Sequence, residues 1–117
     1  QGASGVVVNS PTQNIILKKL SENIDIPIIV TCVSASEVAD RIHFGASIIN
    51  VAAGAKTPKV VSEIRKINKN IPIIATGGPT RESIKATVAA GANAIIWTPP
   101  SCSDIFGELM DAYREKK

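Results

Sequence analysis

Two loops carry the residue types that capture anions. Thr76-Gly77-Gly78-Pro79-Thr80 joins an apolar run to a helix-start signal through two glycines. Without side chains, such residues let backbone amides approach an anion closely. Thr98-Pro99-Pro100-Ser101 leads into another helix start and offers a serine hydroxyl. The chemistry this suits is the binding of a phosphate group by amides and a helix dipole. Gly77, Gly78, Thr80 and Ser101 are the candidate phosphate-binding residues. The competing reading of the glycines is a tight strand-to-helix turn without a ligand.

Further polar candidates fall at the ends of predicted strands: Asn9, Thr31, Asn50, Thr76 and Thr98, with Lys56 in the loop that follows the third strand. Lys56-Thr57 matches the end of a P-loop, but Ala55 stands where that motif needs glycine. Lys56 therefore reads as a solvated loop lysine, able to meet an anion as a point charge. Asn50 divides evenly between ligand contact and an internal hydrogen-bond network, since a buried asparagine must be satisfied. Cys32 and Cys102 share the same end of the fold, but a nucleophilic thiol needs a neighbouring base or a depressed pKa. The only histidine, His43, lies on the second predicted helix, so both cysteines read as packing residues and His43 as a capping or surface group. Trp97 is expected to pack against the helix layer. No metal-ligand spacing and no cofactor motif is found, and no catalytic set is recognised.

The elements that must position these residues repeat. Gly2-Ala3-Ser4, Gly45-Ala46-Ser47 and Gly91-Ala92-Asn93 each open a short apolar run, and Ile26-Pro27-Ile28-Ile29 answers Ile71-Pro72-Ile73-Ile74. Strands are predicted at Gly5–Asn9, Pro27–Cys32, Ser47–Ala52, Pro72–Thr76 and Ala94–Thr98. Each is continuously apolar, as expected of a strand buried on both faces. Helix starts follow at Ser10-Pro11, at Ser34 with Glu37 in capping-box spacing, at Thr57-Pro58, at Thr80, and at Ser101 or Ser103. Gly45 and Gly91 stand where a left-handed helix end needs glycine. Alternating strands and helices imply a parallel α/β sheet with right-handed crossovers. Ligands of such folds bind beyond the carboxyl ends of the strands, where the loops named above lie.

The 117 residues suit one domain but fall short of a complete α/β barrel, typically about 250 residues. Aromatics make up only 3%, so Ile, Val, Ala and Leu must build the core. The net charge of +3 suits an anionic ligand, but the lysines are scattered and no basic stripe with aromatics appears, which argues against nucleic acid. No run is long and apolar enough to span a membrane. Two cysteines without paired spacing point to a reducing cytoplasm.

Ile71-Pro72-Ile73-Ile74-Ala75-Thr76-Gly77-Gly78, followed by Ala89-Ala90-Gly91-Ala92-Asn93-Ala94-Ile95-Ile96, resembles strands seven and eight of ribulose-phosphate-binding β/α barrels. That group includes aldolases of ketodeoxyphosphogluconate type, N-acylmannosamine-6-phosphate epimerases and thiazole synthase. The resemblance covers essentially the whole chain as strands four to eight. It implies that Gly77 and Gly78 hold phosphate through their amides, aided by the Ser101 helix start. The departure lies in the catalysts. Where the aldolases place a Schiff-base lysine this chain has Ile49-Asn50-Val51, and no strand end carries Asp, Glu, His or Lys.

The expectation is therefore a single (βα)5 domain over residues 1–117, the C-terminal portion of a longer TIM barrel, since Gly2-Ala3-Ser4 carries a helix-end signal with no helix before it. A free-standing flavodoxin-like sheet of order 2-1-3-4-5 is the alternative. Two functional readings follow. One is the binding of a phosphorylated small molecule, such as a sugar phosphate, within an aldolase-, epimerase- or lyase-like enzyme. The other is a non-catalytic domain that folds and self-associates as a homodimer through exposed sheet edges.

Overall fold

Runs of Val, Ile and Ala form the five strands because branched side chains pack well on a pleated surface. They are β1 (Val6–Val8), β2 (Ile28–Cys32), β3 (Ile48–Val51), β4 (Ile73–Thr76) and β5 (Ala94–Ile96), each inside its predicted range. Between and after them lie α1 (Asn14–Asn23), α2 (Val38–His43), α3 (Thr57–Ile67), α4 (Arg81–Ala90) and α5 (Cys102–Glu115), with 3-10 turns at Ala35–Glu37 and Gly54–Lys56. The computed structural model describes residues 2–78, 80–97 and 102–115. The candidate residues Thr98 and Ser101 lie outside the described residues.

All strand pairs are parallel, and the sheet order is β1-β2-β3-β4-β5. The flavodoxin-like order 2-1-3-4-5 is thereby excluded. Consecutive right-handed crossovers place successive helices on one face of a sheet. Val8, Val30, Ile49 and Ile73 stand in register across four strands, and all are buried on that outer face. Leu17 of α1, Val38 of α2, and Val61 and Ile64 of α3 close over them and are themselves buried.

The inner face differs from expectation. Along β2 and β4, burial alternates residue by residue instead of being complete on both sides. Val7 is 60% exposed and Ile96 48%. The inner positions are mostly apolar, with Thr31, Asn50 and Thr76 near the carboxyl ends, but no second layer covers them among the described residues. Trp97 is also corrected: equivalent by repeat to the buried Val8 and Val51, it is 51% exposed. The helix that follows it, α5, likewise leaves Ile105, Phe106 and Leu109 exposed.

Helix ends follow the glycine signals more closely than the caps. Gly45 and Gly91 adopt φ +119° and +118°, the left-handed turn that frees the chain to enter the next strand. A Cβ at Gly45 would also lie 2.5 Å from the Ser21 Cβ. By contrast, α1 starts at Asn14 behind Gln13, not behind Ser10. The cause is Arg41, a buried guanidinium on α2 that takes the Ser10 and Thr12 carbonyls and the Asn14 Oδ1, holding residues 10–12 in a separate turn. Ser34 makes no cap bond. Glu37 accepts instead from the Val33 amide at 3.2 Å, four residues back, so its carboxylate reaches one residue beyond the box position. Thr57 is the first residue of α3 rather than its cap, with Pro58 in the first turn as predicted. Its buried hydroxyl accepts from the Ala53 amide at 3.0 Å. Thr80 does cap α4, in a reciprocal box with Ser83.

Candidate functional site

The carboxyl ends of β3 and β4 open into a cavity of about 330 Å³. Gly54, Ala55 and Pro58 form one wall; Thr76, Gly77, Gly78, Ser83 and Thr87 form the other. The loop after β3 and the amino end of α4 thus face each other across it. The Thr80–Ser83 box is what aims α4: the Ser83 amide donates to Thr80 Oγ1 at 3.1 Å, and the Thr80 amide to Ser83 Oγ at 3.2 Å. Ser83 Oγ also donates to the Gly77 carbonyl at 2.7 Å, so one side chain ties the glycine loop to the helix. Thr87, buried one turn on, donates to the Ser83 carbonyl at 2.8 Å.

Both glycines are sterically required. A Cβ on Gly77 would lie 2.5 Å from Ile95 Cγ2, and one on Gly78, at φ +75°, would lie 2.6 Å from Ser83 Oγ. The Gly77 amide donates to the Ile96 carbonyl at 3.0 Å, continuing the sheet past β4. The expectation that Gly77 offers its amide to an anion is corrected by that bond. Thr80 spends both its amide and its hydroxyl on Ser83. Around the glycine loop, the Gly78 amide, the amides of Arg81 and Glu82 in the first turn of α4, and the Thr76 hydroxyl have no partner among the described residues. These point the amino-terminal dipole of a ten-residue helix toward the rim. Glu82 places a carboxylate in the same turn.

Thr31 and Asn50 are cross-strand neighbours on the inner face. Asn50 Nδ2 donates to Thr31 Oγ1 at 3.2 Å, which settles the asparagine's amide in an internal pair. Its Oδ1 is shielded from solvent and has no hydrogen-bond partner among the described residues. Asn9 lies exposed at the end of β1, where its carbonyl caps a turn by accepting from Thr12. Lys56 is exposed and precedes α3. The structure therefore gathers Thr76, Gly77 and Gly78 at the cavity, pairs Thr31 with Asn50 on the inner face, and leaves Asn9 apart.

Cys32 is fully buried. Burial pushes its thiol up to about 11, the Glu37 carboxylate adding to the effect and Arg41 opposing it. A thiol held neutral in this way is no nucleophile. Cys102 is exposed, and neither cysteine forms a disulfide. His43 is an exposed residue at the end of α2, edge-on to Phe44 at 5.2 Å. Among the described residues, no group of three or more His, Cys, Asp or Glu could hold a metal ion, and no helix is long and apolar enough to cross a membrane. Ser83 and Thr87 were not legible as site-building residues. Only Ser83 left a signal, its three-residue spacing from Thr80.

Comparison with solved structures identifies the architecture. The native KDPGal structure matches with a TM-score of 0.63 at 17% sequence identity, over 79% of this chain and 45% of that one. That neighbour is a TIM-barrel aldolase. The fold is that of a barrel-type β/α series. At this identity the likeness is one of fold alone, and the chain spans less than half the length of the structure it matches. No protein-family model matches the sequence, and no curated protein does.

Proposed function

We propose that this chain binds a phosphorylated small molecule, a sugar phosphate or similar, as part of an aldolase-, epimerase- or lyase-like barrel. The observation that carries the reading is the cavity at the ends of β3 and β4, with the unpartnered Gly78 amide and the first turn of α4 on its rim. Oriented amides and a helix dipole favour a phosphate without any side-chain charge. The Thr76 hydroxyl supplies a further donor, and the exposed Arg81 side chain adds positive charge beside the turn. The fold likeness to an aldolase barrel supports the same location, since ligands of such folds gather at this end of the strands. The role is binding: the described strand ends present no acid–base pair.

Titration with inorganic phosphate and with sugar phosphates, followed by amide NMR, tests it. Shifts should concentrate at Gly78, Arg81 and Glu82. Gly78→Asp should abolish them, and Arg81→Glu, at an exposed position, should weaken binding with an unchanged thermal midpoint. Absence of shifts at these amides with millimolar ligand would reject the proposal.

A further inference from the structure

The Gly-Ala-Ser/Asn repeat has a structural meaning that one strand leaves unused. At the start of β3, the Ser47 amide donates to the Ile28 carbonyl at 2.9 Å, and Ser47 Oγ accepts from the Ile28 amide at 3.4 Å. At the start of β5, the Asn93 amide donates to the Ile73 carbonyl at 2.9 Å, and Asn93 Oδ1 accepts from the Ile73 amide at 2.9 Å. In both cases one residue grips both backbone groups of the isoleucine that follows proline (Pro27-Ile28, Pro72-Ile73) on the preceding strand of the sheet. The same prolines face the other way too. Pro27 accepts from Val6 of β1 and Pro72 from Ile49 of β3, each at 3.0 Å. The sheet therefore alternates two strand types, clamp strands (β1, β3, β5) and Pro-Ile strands (β2, β4).

Ser4 occupies the third clamp position of the repeat. Gly2 has φ +89°, in the left-handed region with Gly45 and Gly91, so the motif keeps its shape at β1. Yet Ser4 is exposed and grips nothing among the described residues. Among the described residues no strand lies beside the outer edge of β1, and Val7 next to it is 60% exposed. Asn9 occupies the repeat position of Ala52, whose amide donates across to Cys32 of β2. The edge thus offers a clamp, amides and an apolar side chain in the arrangement that β3 uses to hold β2.

We propose that the free edge of β1 docks a parallel strand of the Pro-Ile type, supplied by another β/α segment, with Ser4 gripping both backbone groups of the residue after proline. Backbone pairing gives such strand addition its affinity, and alternate side chains its selectivity. A second copy of this chain is the poorer occupant. Its own free edges belong to β1 and β5, both clamp strands, and neither brings a Pro-Ile start to Ser4.

The probe is a synthetic peptide with the sequence of residues 24–32, added to the isotope-labelled chain; a peptide of residues 46–52, which lacks the Pro-Ile pair, is the control. Gly5, Val7 and Asn9 should gain amide protection with the first peptide only. Ser4→Ala should weaken that binding about five-fold, the effect of one net hydrogen bond, and Ser4→Asn, copying Asn93, should restore it. Equal protection by both peptides, no protection by either, or an unchanged affinity in Ser4→Ala would overturn the proposal. So would concentration-dependent dimerisation that protects β1 without peptide, because the second copy would then be the occupant. The test is independent of phosphate binding, which lies at β3 and β4.

Discussion

The two faces of this sheet share the same branched apolar residues over most of their length and live in different surroundings. On β3, Ile49 points outward into the helix layer and is buried, whereas Ile48 beside it points inward and is only partly covered. Composition thus does not decide burial here; the one-sided path of the crossovers does. What holds the molecule together is the outer layer, where Leu17, Val38, Val61 and Ile64 meet the strands. The inner face contributes a surface on which further structure can form.

Adjacent substitutions on β3 measure that contrast most directly. Ile49→Ala should cost about 4 kcal/mol in urea denaturation, and Ile48→Ala about 1 kcal/mol. Equal losses would mean that the inner face is covered in solution and would break the comparison. The second test concerns the outer face alone. The unfolded thiol of Cys32 ionises near 9.0 and the folded one near 11, so the stability gained by keeping it neutral is complete below pH 9 and is lost as pH rises through 11. The total is about 3 kcal/mol. Cys32→Ala should remove that alkaline slope while lowering stability at neutral pH; a slope that persists would assign it to another group.

At the rim between the faces, Ser83→Ala removes one partner of the α4 capping box. It should lower stability by about 1 kcal/mol in thermal or urea melts. It should also broaden the Gly77 and Gly78 amide signals, because Ser83 Oγ tethers the Gly77 carbonyl. The smallest effect belongs to the inner face. Val7→Thr and Ile96→Thr should each stay within about 0.5 kcal/mol of the parent. A larger loss at either would show that an inner apolar residue is held by packing, and would sharpen where that face closes.

The strands were legible because a run of branched apolar residues between glycine and proline signals has few other uses. Gly45 and Gly91 were legible for a steric reason, the left-handed turn. The one-sidedness was not: Ile28-Ile29-Val30 reads alike whether Ile29 meets a second layer or solvent. The start of α1 was misread because the pull on the Ser10 carbonyl comes from Arg41, thirty-one positions along the chain. At the candidate site, Gly77-Gly78 stood out in sequence, but which amide remains free depended on Ile96, a residue on the neighbouring strand. Local signals report local geometry, and the availability of a donor is settled by neighbours in space.

Arg65 has a consequence for how the molecule comes apart. From α3 its guanidinium reaches the Ile71 carbonyl at 2.7 Å, the Gly91 carbonyl at 3.0 Å and the Asn93 Oδ1 at 2.7 Å. Those atoms belong to the lead-in of β4 and the lead-in of β5. Losing α3 takes a shared donor from acceptors in two successive units at once, which couples the opening of one unit to the other. The smallest cooperative block in hydrogen exchange should therefore be a pair of units, and a permutation or graft that cuts between the members of a pair should fail where one that cuts between pairs succeeds.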